Sequence, residues 1–158
     1  MSPQGIIRFD DSLRADAYAP FPATRLCGSE QSFDFICCIS VLEHIERFDE
    51  AVANMYRLLN AGGRLAMTFP YDESEFVGNV YLLPEAEYGQ DARYICRVYS
   101  RSELERWEDA YDWRITDQEY WQVFSGRHWT VGERLRPPVL STADGLHHLT
   151  CVLFEKNG

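Results

Sequence analysis

Apolar residues are spaced in two ways along this chain. Phe33-Asp34-Phe35-Ile36-Cys37-Cys38-Ile39 is almost continuously apolar, short, and bounded by Gly28/Ser29 and Ser40. Such a run predicts a strand buried on both faces of a parallel sheet. From Asp49 to Asn60 the spacing changes, and Val52, Met55, Tyr56 and Leu59 recur with helical period, with Asp49 as N-cap. Gly62 and Gly63 are expected to supply the left-handed turn that ends this helix. Arg64-Leu65-Ala66-Met67-Thr68-Phe69 then reads as a second strand, stopped by Pro70. Strand, helix, glycine turn, strand implies a right-handed crossover between two parallel neighbours.

The flanks are less regular. Gly5-Ile6-Ile7-Arg8-Phe9 fits a short strand, and the prolines of Ala19-Pro20-Phe21-Pro22 demand a loop. Residues 71–99 lack a clear period and carry Tyr71, Phe76, Tyr81, Tyr88, Tyr94 and Tyr99. Ser100-Arg101-Ser102-Glu103 spells a capping box, followed by a helix with Leu104 and Trp107 on its apolar face. Trp113 to Phe124 alternates as a strand, Ser125 to Gly145 with Pro137-Pro138 reads as loop, and His148 to Phe154 as the last strand. The expected class is α/β with one core and a mostly parallel, Rossmann-like sheet flanked by helices, a single domain over residues 1–158.

Composition narrows the function. At 158 residues and a formal charge of −10, the chain suits one domain and is a poor match for a phosphate backbone, which sets nucleic acid aside as the main partner. No apolar run approaches the roughly 20 residues that span a bilayer, and Met1-Ser2-Pro3-Gln4-Gly5 does not resemble a signal peptide, so a cytoplasmic protein is expected. Cys27, Cys37, Cys38, Cys96 and Cys151 share no CxxC spacing, which points to neither zinc nor a disulfide framework. Cys37 and Cys38 are expected as buried free thiols.

In an open parallel sheet, ligands bind beyond the carboxyl ends of the strands. After Phe33–Ile39 that place belongs to Ser40-Val41-Leu42-Glu43-His44-Ile45, and after Arg64–Phe69 to Pro70-Tyr71-Asp72. Glu43 and His44 thus form a polar pair where a site is expected. A neutral imidazole can take a proton from a substrate, and a neighbouring carboxylate can support it.

From Ser32-Phe33-Asp34 to Tyr71 the chain resembles class I S-adenosylmethionine-dependent methyltransferases of the small-molecule kind. The likeness is carried by Phe33-Asp34-Phe35-Ile36, Val41-Leu42-Glu43-His44-Ile45, Tyr56-Arg57-Leu58-Leu59-Asn60-Ala61-Gly62-Gly63 and Arg64-Leu65-Ala66-Met67-Thr68-Phe69-Pro70. The resemblance implies that Asp16 and Ala17 lie beside the adenine of S-adenosylmethionine and that Ile39, Ser40 and Val41 line the cofactor cleft. It also implies a reason to expect no metal: where the family's Glu-His pair binds a divalent ion with a further Glu three residues earlier, this chain has Ser40. One departure stands out. Ahead of Phe33 there are only Gly5 and Gly28, without the family's glycine-rich turn, and Asp10-Asp11 has no supporting turn as a ribose-binding acid. The expectation is a chain lacking the first strands of the fold, with weak or absent donor binding and Phe33–Ile39 as a sheet edge. Gly5–Phe9, a second copy or a partner chain would cover that edge, a homodimer being the expected form.

Two readings follow. In one, the chain is an S-adenosylmethionine-dependent methyltransferase acting on a small molecule, with His44 as base, Glu43 supporting it, and Tyr71, Phe76 and Tyr81 walling the acceptor pocket. In the other, it is a non-catalytic remnant of that fold serving as a dimeric scaffold, subunit or regulator.

Overall fold

The computed structural model of the protein describes residues 31–158. The expectations for Asp16 and Ala17, for Asp10-Asp11, for Cys27, for the Gly5–Phe9 strand and for the Pro20 loop lie outside these residues. Five strands and two helices follow one another as β1 (Phe33–Ile39), α1 (Phe48–Leu58), β2 (Leu59–Pro70), α2 (Arg101–Ala110), β3 (Trp113–Phe124), β4 (Arg134–Ser141) and β5 (Leu149–Lys156), with 3-10 turns at Leu42–His44 and Val80–Leu82.

The strands form one sheet in the order β1-β2-β5-β3-β4. β1 and β2 are parallel neighbours, as the strand–helix–strand pattern requires. The α/β, Rossmann-like class therefore holds, but the mostly parallel pairing does not extend through the described sheet. β5 enters between β2 and β3 and runs antiparallel to both, and β4 is antiparallel to β3. β1, β2 and β3 point one way and β4 and β5 the other, so the carboxyl ends of β2 and β3 meet the start of β5.

One face of this sheet is packed. Cys38 of β1, Leu65, Met67 and Phe69 of β2, and Val152 and Phe154 of β5 join Val52 and Met55 of α1 and Leu104 and Trp107 of α2 in a single cluster. The alternate residues of β1 do not share it. Phe35 and Ile39 are more than half exposed and Cys37 is exposed, so β1 is buried on one face rather than two, and of the adjacent thiols only Cys38 is buried. β1 is also the margin of the described sheet.

Several boundaries differ from the sequence reading for local reasons. α1 starts at Phe48 with Arg47 as N-cap, because the Asp49 carboxylate is used elsewhere: it accepts from Trp107 Nε1 (3.1 Å) and Arg106 Nη2 (2.8 Å) of α2. The helix ends directly into extended Leu59 without a glycine cap. Buried Lys156 takes over the capping, donating to the carbonyls of Tyr56 and Leu59, each at 3.0 Å. Gly62 and Gly63 instead serve an irregularity in β2, where Leu59 stands opposite Phe33 but Arg64 opposite Phe35. Gly62 has φ +73°, and a Cβ on Gly63 would sit 2.8 Å from the Asn60 carbonyl oxygen. The stretch read as loop around Pro137-Pro138 is strand β4, and its place at the outer margin of the sheet is what tolerates prolines. The capping box of α2 forms as read: Ser100 N–H donates to Glu103 Oε2 at 3.1 Å.

Candidate functional site

Two sets of polar residues collect at the carboxyl ends of the strands, one after β1 and one after β2 and β3. At the first, Ser40 turns the chain with φ +50°, its amide donating to the Thr68 carbonyl (2.9 Å) and hydroxyl (3.0 Å) at the end of β2. Ile39 and Ser40 are exposed there, while Val41 packs against the core. The turn that follows points Leu42 into the core and buries Glu43, which is 4% exposed.

Glu43 Oε1 lies 3.8 Å from His44 Nε2, and Glu43 Oε2 is buried without a hydrogen-bond partner. Burial raises the Glu43 carboxyl from 4.5 to about 7. The buried thiols Cys38 and Cys96 are both pushed up to about 12, chiefly by burial and further by the charge of Glu43, which keeps them protonated. His44 Nδ1 lies 2.6 Å from the Ile95 carbonyl oxygen. A carbonyl only accepts, so Nδ1 carries the proton and Nε2 presents its lone pair. The imidazole also meets the Tyr94 ring edge-on at 4.8 Å.

The second set surrounds a depression of about 300 Å3, measured out to open solvent. Tyr71 and Asp72 follow β2, Arg127, His128 and Trp129 follow β3, and His147 and His148 precede β5; Val77, Val80, Leu83 and Val98 form an apolar wall. His148 accepts at Nδ1 from the Val123 and Phe124 amides and donates from Nε2 to the Gly126 carbonyl, and burial lowers its pKa, so it is a neutral structural histidine. His147 donates from Nδ1 to the Gly145 carbonyl (2.8 Å), which leaves Nε2 as its accepting nitrogen. Its ring stacks on Tyr71 at 5.7 Å. His128 Nε2 lies 3.6 Å from Glu85.

The three aromatic residues expected around an acceptor go to separate places. Tyr71 is buried with an unpartnered hydroxyl, under Arg101, whose guanidinium is bidentate on Glu73. Burial raises its pKa. Phe76 packs on Phe48 and Tyr99. Tyr81 meets Tyr94 at 6.0 Å, which connects it through that ring to His44. The sequence reading missed Arg97, Arg127, His128 and His147. The adjacent pair His147-His148 was the available signal, but it gains meaning only once β5 is known to run antiparallel between β2 and β3.

Among the described residues no cluster of His, Cys, Asp or Glu could hold a metal ion, and no helix is long and apolar enough to cross a membrane. The described residues suit a nucleoside-type cofactor in part. Ile39 and Ser40 leave open surface at the end of β1, but Glu43, the carboxylate nearest that turn, is buried and so not presented to ribose hydroxyls.

A family profile described as "Methyltransferase domain" matches residues 3–118. No curated protein sequence matches the chain. Solved structures match by fold. The 1,6-didemethyltoxoflavin-N1-methyltransferase of Burkholderia thailandensis, with 1,6-didemethyltoxoflavin and S-adenosylhomocysteine bound, is 17% identical with a TM-score of 0.56, over 87% of this chain and 49% of that one. An S-adenosylmethionine-dependent methyltransferase of Thermotoga maritima is 20% identical with a TM-score of 0.54, over 85% of this chain and 61% of that one. The [4+2]-cyclase SpnF is 15% identical with a TM-score of 0.53, over 85% and 53%. The chain thus spans about half to three-fifths of the length of these structures.

Proposed function

Since the chain belongs to the methyltransferase-domain family, we propose that it transfers a methyl group from S-adenosylmethionine to a small-molecule acceptor, with His44 as the base. The observation that carries this reading is the fixed tautomer of His44: Nδ1–H is held by the Ile95 carbonyl, and Nε2 is left to accept a proton beside Glu43. The Burkholderia structure, whose acceptor is a small molecule, supports the acceptor class by analogy of fold.

Bound S-adenosylmethionine supplies an electrophilic methyl group. The chain's own residues have the tasks of holding both reactants and removing a proton. Ile39, Ser40 and Val41 at the end of β1 are proposed to border the donor, as are Asp16 and Ala17. His44 Nε2 takes the acceptor's proton, and a Glu43 carboxylate next to the resulting imidazolium offsets its charge. Tyr71, Phe76 and Tyr81 are proposed for the acceptor side, Tyr81 beside His44 through Tyr94 and Tyr71 at the depression it shares with His147.

The reading extends to assembly and setting. A second copy of the chain is proposed to cover the β1 margin, supported by the exposure of Phe35 and Ile39. A cytoplasmic setting is supported by Cys37, Cys38, Cys96 and Cys151, all free thiols.

The fold also hosts a cyclase, so likeness of shape does not fix the chemistry. Calorimetric titration of the purified chain with S-adenosylmethionine and S-adenosylhomocysteine is the deciding experiment. Micromolar binding would support this reading. No heat and no thermal shift at millimolar ligand would replace this reading with a non-catalytic subunit or scaffold.

A further inference from the structure

The turn that carries Glu43 and His44 has little to hold it in place by itself. Neither the 3-10 turn Leu42–His44 nor the start of α1 has a side-chain cap, so the carbonyls of residues 45 and 46 sit outside any regular ladder. What holds them comes from about 50 residues further along, from the extended segment 95–99. Tyr99 Oη donates to the Leu42 carbonyl (2.9 Å), and the Arg97 amide donates to the Glu43 carbonyl (3.0 Å). The Arg97 guanidinium then donates from Nη1 to the Ile45 carbonyl and from Nη2 to the Glu46 carbonyl (3.2 Å), and lies over the Phe48 ring at 5.0 Å. In a chain with 25 acidic residues, this arginine forms no salt bridge with any described carboxylate. Its donors go to two consecutive backbone carbonyls, and the fixed planar fork of a guanidinium suits that task better than the single ammonium of lysine.

We infer that Arg97 is a positioning residue for His44: by clamping the 45–46 carbonyls it holds the turn against segment 95–99, so that Nδ1–H stays on the Ile95 carbonyl and Nε2 stays the accepting nitrogen. The inference rests on the reading of His44 as base only for its effect on turnover. Its effect on the imidazole is independent of that reading. Arg97 touches neither reacting group. It acts through the geometry of the turn, and a displacement of about 1 Å in such a group costs on the order of 100-fold in rate.

The experiment uses the full chain with 15N-labelled histidine, as wild type, R97Q and R97K. In the wild type, the His44 ring nitrogens are expected as one protonated and one unprotonated species, with the proton on Nδ1. In R97Q both nitrogens are expected to move towards an averaged value, with R97K between the two. Turnover should fall about 10- to 100-fold in R97Q while acceptor KM changes by less than about threefold. A folded R97Q with wild-type ring nitrogens overturns the inference, whatever its turnover. If R97Q does not fold, R97K with unaltered ring nitrogens overturns it equally. Shifted nitrogens with unchanged turnover would support the clamp and count against His44 as base, so the two ideas fail separately. H44A is the control for the second of them.

Discussion

The indole Nε1 of Trp107 in α2 donates to the carboxylate of Asp49 in the first turn of α1, at 3.1 Å and across 58 residues. Trp107 is 1% exposed and Asp49 is exposed, so the bond runs from the core to its rim. It ties α2 to the first turn of α1 beside the core cluster both helices share. Removing the acceptor leaves a buried donor unsatisfied, and D49A should lose about 1–2 kcal/mol of stability. D49N keeps an acceptor oxygen and should recover most of it. Urea unfolding of the two variants measures this, and equal losses would show that the charge matters rather than the bond.

Glu43 gives a pH dependence whose sign follows from burial. Its carboxyl holds a proton up to about pH 7 in the folded chain, against 4.5 for an ordinary glutamate. The unfolded chain releases that proton first, so stability is lost as pH rises from about 4.5 to about 7, by at most about 3 kcal/mol, and the loss is complete above that. E43Q cannot ionise. Its stability relative to wild type should therefore increase across that window and level off beyond it. A difference that stays constant from pH 4.5 to pH 8 would contradict the raised carboxyl.

His44 provides the test of chemistry. H44A should leave donor binding within about threefold while turnover falls by about 100-fold or more, in keeping with loss of a general base. Unchanged turnover would remove His44 from the mechanism.

Neighbouring cysteines should differ in reactivity. Cys37 is exposed on the bare face of β1, whereas Cys38 and Cys96 are buried with thiols pushed up to about 12. Brief alkylation of the native chain at pH 7.5, followed by peptide mapping, should modify Cys37 and spare the other two. If the β1 region is covered by a second copy, labelling of Cys37 should fall with protein concentration in step with dimer formation by light scattering. A chain that stays monomeric at tens of micromolar would count against the homodimer.

Much of this fold could be read without coordinates. β1 begins and ends where its apolar run does, α2 starts on its capping box, and β3 spans the residues read for it. Each of these depends on neighbours in sequence. The misreadings depend on partners far away. Asp49 looks like an N-cap until Trp107 is seen to use its carboxylate. Gly62 looks like a helix stop, but Lys156 caps α1 from the far end of the chain. Pro137-Pro138 reads as loop because a proline's cost in a strand depends on which strand lies beside it. The site divides in the same way. Glu43 and His44 follow from their place after β1. Arg97 and His147 do not, because their positions depend on long-range contacts and a strand order that no local pattern records.

The two margins of the sheet are unlike, and that limits how copies of the chain can associate. At β4 the successive prolines 137 and 138 remove one amide donor from each side of the strand, which disfavours another strand adding there. β1 has no proline and keeps its donors. In the proposed homodimer, strand addition at the β1 margin of the described sheet would join that border to itself about a twofold axis. In such a pair β4 would form the outer rim of the described sheet, where its two prolines disfavour the addition of a further strand.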